Sequence, residues 1–261
     1  MHHVPLLSQE RHSLILEKIE SEGRVLAPQL ALQMRVSEDT IRRDLRDLAA
    51  AGLCRKVYGG AVRLPSSPTP GTIVERENFQ AAAKSLLAVA AVSFVSAGDV
   101  LFIDSGTSNL SIAKALPDIA LTVVTNAPMV AAALLNHRNI ELIMLGGRVD
   151  MRSGSALGAA TLREAEMLRP DLYILGACGV DAEAGVSAFN YDEAQFKRNV
   201  ARLSKAILIV ATADKLATAG PYLIWPTNQV THLVIPEDVD PLYDTAFTAH
   251  GVNVVRAAVS I

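Results

Sequence analysis

Apolar positions recur along the chain with two different spacings, and the change between them divides it. Up to about residue 52 the spacing is helical. Leu14, Ile15 and Ile19 mark a helix over residues 9–21, ended by Gly23, and Leu30, Ala31, Leu32 and Met34 mark a short second helix over 29–34. Ile41, Leu45 and Leu48 recur at i, i+4 and i+7 in a third. Ser37 can cap that helix by accepting from an early backbone N–H, Glu38 and Asp39 put negative charge in its first turn, and Gly52 offers a left-handed stop. Three helices then close on one small core. Only Arg35 and Val36 separate the second helix from the cap, which is helix-turn-helix spacing. Behind the third helix, L-C-R-K-V-Y-G-G-A-V (53–62) reads as two extended runs around Gly59-Gly60, a hairpin signal.

The second spacing follows a break. P-S-S-P-T-P-G-T (65–72) removes backbone donors and buries nothing, so it reads as a semi-rigid linker. Residues 73–95 have the look of one helix, with Leu86, Leu87, Ala90 and Phe94 on one side. Thereafter short apolar runs alternate with helical patterns: strands at 100–103, 121–125, 141–145, 172–175, 206–210, 233–235 and 253–255, and helices at 108–116, 128–135, 159–168, 193–203 and 241–249. The alternation predicts an α/β fold on a mainly parallel sheet. With 261 residues, half of them hydrophobic, the chain can fill two unequal cores. The expected organisation is a winged helix-turn-helix domain over 1–64, a linker over 65–72, and an α/β domain over 73–261.

Charge sharpens the first part. Opposite the apolar stripe of the third helix stand Thr40, Arg42, Arg43 and Arg46, and an arginine can grip a phosphate or the acceptor pair of guanine with two hydrogen bonds. A plainer reading makes this a solvated face on which Arg42, Arg43, Asp44, Arg46 and Asp47 pair with one another. Residues 1–64 carry a net charge of +2 and the remainder −5, and six basic residues against two acidic ones lie between Arg42 and Arg63. A basic hairpin behind a recognition helix is a wing, with Arg55, Lys56 and Arg63 beside the phosphate backbone.

In the second part the residues that follow the strands matter, because ligands of such sheets sit at the strands' carboxyl ends. D-S-G-T-S (104–108) leads hydroxyls and a flexible glycine into a helix N-terminus: an anion cradle, or only a helix cap. Thr125-Asn126, Gly146-Gly147-Arg148, Gly176, Gly179 and Asp214-Lys215 open later loops and favour a pocket that a ligand can enter closely. Lys215 is either a counter-charge to a phosphate or a solvated loop lysine.

The segment V-S-E-D-T-I-R-R-D-L-R-D-L followed by G-L-C-R-K-V-Y-G-G-A closely resembles the N-terminal signature of the DeoR family of bacterial transcription regulators. D-S-G-T-S, V-V-T-N-A, L-G-G-R, D-E-A-Q-F-K-R and A-D-K stand in the order of that family's sensor domain. The resemblance implies a winged helix-turn-helix, usually of a repressor, with Ser37, Thr40, Arg42 and Arg43 at recognition positions and Tyr58 where the wing usually has histidine. Arg46, Arg55, Lys56 and Tyr58 complete the expected DNA-binding set. It also implies a domain similar to sugar-phosphate isomerases and CoA transferases that binds a phosphorylated sugar. Asp104, Ser105, Gly106, Thr107 and Ser108 would form the cradle, and Asn126, Gly147, Glu193, Lys197 and Lys215 would line the remainder. Within the cradle Asp104 is expected to accept from sugar hydroxyls, because a carboxylate repels phosphate, while Ser105, Thr107 and Ser108 hold the phosphate. The family's usual A-D-S-S-K is A-T-A-D-K here.

No uninterrupted apolar run reaches about 18 residues and no signal-peptide core opens the chain, so a cytoplasmic protein without a membrane partner is expected. Cys54 and Cys178 have no companions at metal-ligand spacing; both are expected to be reduced and structural, with no metal or cofactor. The expected function is a repressor of a carbohydrate-metabolism operon, with operator DNA and a phosphorylated sugar as partners and a homodimer or homotetramer as its working form. Two alternatives stay open. One is an isomerase-like enzyme using Asp104, Asp192 or Glu193, although no paired-acid motif stands out and catalysis leaves the basic module unexplained. The other is a DNA-binding protein that needs no ligand.

Overall fold

The computed structural model describes residues 7–22, 24–51, 53–57, 59–62 and 73–258, and the chain divides into two compact units, Met1–Pro68 and Thr69–Ile261. The first unit runs α1 (Ser8–Glu22), β1 (Arg24–Leu26), α2 (Ala27–Met34), α3 (Glu38–Ala50), β2 (Arg55–Val57) and β3 (Gly60–Val62). Ile15, Ile19, Leu30, Ile41, Leu45 and Leu48 are buried in one core with Cys54 and Ala61. Two expected core residues are not there: Leu14 is 40% exposed and Leu32 82%. Each residue advances a helix by about 100°, so Leu14 stands to one side of the Ile15–Ile19 stripe and Leu32 points away from Leu30. α2 also starts two residues earlier than its apolar pattern suggests, with Pro28 in the first turn, where the missing N–H leaves no helical hydrogen bond unmade.

The hairpin gains a third strand. The sheet order is β1-β3-β2, antiparallel, with Val25 and Lys56 both opposite Ala61. Gly60 makes room for β1, since a Cβ there would lie 1.9 Å from the Val25 carbonyl oxygen. Gly23, Gly52, Tyr58, Arg63 and the expected linker lie outside the described residues.

The second unit runs α4 (Ile73–Asn78), α5 (Ala81–Ala91), β4 (Val100–Ile103), α6 (Thr107–Ala115), β5 (Leu121–Thr125), α7 (Pro128–Leu134), β6 (Ile140–Met144), β7 (Arg148–Asp150), β8 (Ser155–Leu157), α8 (Ala159–Ala165), β9 (Leu172–Leu175), β10 (Gly179–Asp181), β11 (Gly185–Ala188), α9 (Tyr191–Leu203), β12 (Ala206–Val210), β13 (Tyr222–Trp225), β14 (His232–Pro236), α10 (Leu242–Thr248) and β15 (Asn253–Ala257). The expected strands and helices of the alternation are present, their ends displaced by at most three residues. The expected helix over 73–95 is instead two helices and a 3-10 turn. Gln80 takes a left-handed φ of 52° between them, and Leu86 is exposed while Leu87, one position round, is buried.

Among the described residues the main sheet has the order β15-β14-β12-β9-β4-β5-β6, and every pairing is parallel. Leu101, Ile103, Val123, Ile174, Leu208 and Val234 form its buried core with Leu87, Ala91 and Ile112 from the covering helices. Strands buried on both faces read as apolar runs, the pattern seen in the sequence. From β4 the chain winds outward through β5 and β6, then returns to β9 on the other side of β4. The crevice at a carboxyl end where winding reverses is the usual ligand position of such sheets. The β7–β8 hairpin and a small antiparallel sheet, β10-β11-β13, are additions that the apolar spacing did not announce.

Candidate nucleic-acid interface and ligand cleft

α3 is built to present one face. Ser37 caps it, its hydroxyl accepting from the Thr40 amide at 3.2 Å and lying 2.8 Å from the Thr40 hydroxyl. On the exposed side Arg42 is held by Glu38, one turn back, at 2.9 Å, and the Arg46 Nε donates to the Arg42 carbonyl at 3.3 Å. Arg43 is exposed and has no polar partner among the described residues. Lys56 is exposed on β2. The side chain of Arg55 is not described, and Tyr58 and Arg63 lie outside the described residues.

Asp44 departs from the surface-pair reading. It is 3% exposed, and its carboxylate receives the Arg11 guanidinium through Nε at 2.8 Å and Nη2 at 3.0 Å, with the His12 Nε2 at 3.1 Å. Burial alone would raise its pKa, but the hydrogen bonds and charge of Arg11, then of His12, hold it below the ordinary carboxylate value. The signal was present: Asp44 lies three residues after Ile41 and four before Leu48, on the buried stripe. It ties the polar helix to α1 and so fixes how α3 is turned.

At the carboxyl end of β4 the residues after the strand enter α6 with Gly106 at φ 122°. Asp104 is fully buried and both its carboxylate oxygens are engaged inside the protein. Oδ1 accepts from the Ser105 amide at 2.7 Å; Oδ2 accepts from the Tyr173 hydroxyl at 3.1 Å and the Gly176 amide at 3.0 Å, and lies 3.1 Å from the Lys197 Nζ. This corrects the expectation that Asp104 meets sugar hydroxyls: it faces protein on every side. Lys197 also lies 2.6 Å from the Glu193 carboxylate, one turn back on α9, and donates to the Gly176 carbonyl at 2.6 Å. Burial would lower Lys197, but Asp104 and then Glu193 outweigh it and raise its pKa well above the ordinary value, while burial raises Asp104. Burial, then the Asp104 charge, raises the Tyr173 hydroxyl further. The cluster therefore locks β4, β9 and α9 together. Gly176 belongs to the same lock, since a Cβ there would lie 2.3 Å from the Ser105 carbonyl oxygen.

Around this lock some polar groups are left over. The Ser108 hydroxyl in the first turn of α6, and the Asn126 side-chain oxygen after β5, are buried with no hydrogen-bond partner among the described residues. The Asn126 amide nitrogen is taken by the Ala156 carbonyl at 3.0 Å, which orients the free oxygen. The Lys215 ammonium, after β12, has no hydrogen bond or ion pair among the described residues; burial, first, pushes its pKa down, and Lys197 and Arg76 act in the same direction, against Cys178 and Asp214. Thr107 is buried beside Ser108. Gly147 sits at φ 142°, where a Cβ would lie 2.2 Å from the Thr161 hydroxyl. Its glycine is therefore explained by close packing of the β7–β8 hairpin against α8.

Two family descriptions match this chain: the DeoR-like helix-turn-helix domain over residues 11–67 and the DeoR C terminal sensor domain over residues 79–237. The chain belongs to the DeoR family. Among its DeoR-family relatives, the glycerol-3-phosphate regulon repressor of Escherichia coli (strain K12) is 34% identical over 207 residues, 79% of this chain and 82% of that protein. The glycerol-3-phosphate regulon repressor of Haemophilus influenzae is 32% identical over 233 residues, 88% of this chain and 91% of that one. The uncharacterized HTH-type transcriptional regulator FruR of Bacillus subtilis (strain 168) is 33% identical over 211 residues, covering 80% and 84%. The sensor-domain match takes in Asp104, Ser108, Asn126, Tyr173, Gly176, Glu193, Lys197 and Lys215. Of these, Tyr173 and Gly176 were not singled out as partners of Asp104, because nothing local to L-Y-I-L-G says which loop it will meet. No helix among the described residues is long and apolar enough to cross a membrane.

Proposed function

We propose that this DeoR-family chain is a DNA-binding repressor of a carbohydrate-metabolism operon, and that a phosphorylated sugar or polyol bound at the carboxyl ends of β4, β5 and β9 alters its grip on the operator. One observation carries the ligand half: two buried, unpartnered oxygens, Ser108 Oγ and Asn126 Oδ1, stand at the sheet end that also holds Lys215, a cation without a partner among the described residues. Buried polar groups are normally satisfied. Here a hydroxyl and an ammonium suit a phosphate, and an amide oxygen suits a sugar hydroxyl. Backbone N–H groups of the nine-residue α6 add a favourable dipole. Asp104 serves as a positioning residue that holds Lys197 and the β9 turn.

Binding, not turnover, fits the carboxylates. A general base needs a free lone pair beside the substrate carbon, and both Asp104 and Glu193 are engaged by Lys197. On the DNA side, Ser37, Thr40, Arg43 and Arg46 on α3 and Lys56 on the wing meet the operator, with Arg42 released from Glu38 on contact. One winged module has a small footprint, so the working form is a cytoplasmic homodimer, or a pair of dimers, reading half-sites about 34 Å or a multiple apart.

The test is a thermal-shift panel of phosphorylated sugars and polyols, with glycerol 3-phosphate included because two relatives are named for that regulon. At about 100 times its dissociation constant the true ligand adds roughly 2.7 kcal/mol to stability and raises the melting temperature. Ser108→Ala and Lys215→Met remove the response. A panel without any response contradicts the reading.

A further inference from the structure

The two outer strands of the main sheet are finished differently. β15 carries Arg256, whose Nε donates to Asp244 of α10 at 2.8 Å and whose Nη1 donates to the Val239 carbonyl at 2.9 Å. A charge so placed is a usual guard on a strand that ends a sheet. β6 has no such guard. It closes the order on the other side, paired in parallel with β5 alone among the described residues, so one row of its backbone groups meets no strand. Its five residues, I-E-L-I-M, include no proline and no lysine, and their one charge, Glu141, stands near the start. Ile140 and Leu142 pack against the sheet core, whereas Ile143 is 39% exposed and Met144 46%. Two more exposed apolar residues follow just beyond, Val149 on β7 and Met151 after it. An unpaired row of N–H and C=O groups with apolar flanks is a template for another strand.

We propose that a second copy of this chain seats on β6, the two strands pairing antiparallel about a two-fold axis so that one sheet runs through both sensor units. The proposal rests on the reading that the chain works as a homo-oligomer. A closed two-fold contact needs a surface complementary to itself, and β6 meets that need in backbone, side chains and charge. Its free backbone groups find the same groups reversed, and Ile143 and Met144 cover their counterparts. Glu141 near the start is answered by Arg148, which opens β7 just past the end of β6 and forms no ion pair among the described residues. Antiparallel strands send the start of each towards the end of the other, so each Glu141 approaches the Arg148 of the other copy. Parallel strands would set Glu141 beside Glu141, and like charges oppose pairing. An unrelated extended peptide would use the backbone row alone and leave this order of charge without a role. The contact also reaches the cleft: β7 pairs with β8, and Ala156 of β8 exchanges two hydrogen bonds with Asn126, at 2.7 and 3.0 Å.

The test uses the full chain, its mass followed by sedimentation over a range of concentrations. Ile143→Lys and Met144→Lys put a cation on the strand, and Val89→Lys, at an exposed apolar position of α5, is the control. Glu141→Arg and Arg148→Glu are measured singly and together. Wild type is expected to associate. Ile143→Lys and Met144→Lys each raise the dissociation constant of self-association at least about tenfold, equivalent to about 1.4 kcal/mol, and Val89→Lys leaves it unchanged. Glu141→Arg and Arg148→Glu singly weaken association, and the double variant restores it. If wild type associates and neither Ile143→Lys nor Met144→Lys alters this, or the double variant associates no better than the single ones, the proposal is overturned and the homo-oligomer stands. A wild type that stays monomeric at every concentration removes the homo-oligomer and the proposal with it. Should the strand variants not fold, amide exchange in wild type decides: slower exchange over residues 140–144 as concentration rises supports the proposal, and exchange there that stays constant while the mass rises overturns it.

Discussion

Arg43 and Asp44 are neighbours in sequence with opposite tasks. Arg43 is exposed without a polar partner among the described residues, ready for a base edge or a phosphate, so Arg43→Ala should cost roughly 1 to 3 kcal/mol in operator binding. Gel shifts at fixed salt separate the cases: a base contact relaxes specificity at one position, whereas a phosphate contact weakens specific and random duplexes alike. Asp44 works through Arg11 and His12. Its pKa is held below that of the unfolded chain, so its contribution is fully present above about pH 4 and is lost as pH falls through the folded value. Asp44→Asn should destabilise the winged unit by roughly 3 kcal/mol at pH 7 and flatten the loss of its melting temperature as pH falls below about pH 4. In the sensor unit, Asp104→Asn leaves buried Lys197 with Glu193 as its one carboxylate partner among the described residues. Its expected effect is a lowered sensor melting temperature without ligand, measured by calorimetry; an unchanged value would show that the Lys197 lock does not depend on Asp104.

At the scale of elements, the strength of α3 lies in agreement between cap, dipole and stripe. Ser37→Ala should cost about 1 kcal/mol of winged-unit stability, read from chemical denaturation, with a smaller loss for Ser37→Asn, whose side chain can also cap. The same agreement made α3 legible in the sequence, as the apolar runs made β4, β5, β9 and β12 legible. What escaped was local structure without a period. β1 has three residues, the break at Gln80 contains neither glycine nor proline, and β10, β11 and β13 are short strands whose pairing is decided by distant partners. The loop from Asp104 to Ser108 that leads β4 into α6 was readable because hydroxyls and glycine follow a strand. The inward turn of Asp104 was not, because it depends on Tyr173, Gly176 and Lys197 from other elements. Leu14, Leu32 and Leu86 failed for a simpler reason: when two apolar residues are adjacent or two apart on a helix, sequence does not say which one faces inward.

For the whole molecule, the proposed reading is a DNA-reading unit joined to a unit with an anion-binding cleft, and self-association is expected, since one winged module alone has too small a footprint for useful specificity. Light scattering at micromolar concentration should give at least twice the 27.8 kDa of one chain. The central claim is that occupancy of the cleft changes operator affinity. Its most direct measurement is fluorescence anisotropy of labelled operator DNA at fixed salt, titrated with wild type and with Ser108→Ala, each with and without the phosphorylated compound that gives the largest thermal shift. The account predicts that the compound changes wild-type affinity about tenfold or more, a coupling of about 1.4 kcal/mol, and leaves Ser108→Ala unchanged. Equal operator affinity of the wild type with and without the compound, or an undiminished response in Ser108→Ala, would contradict it.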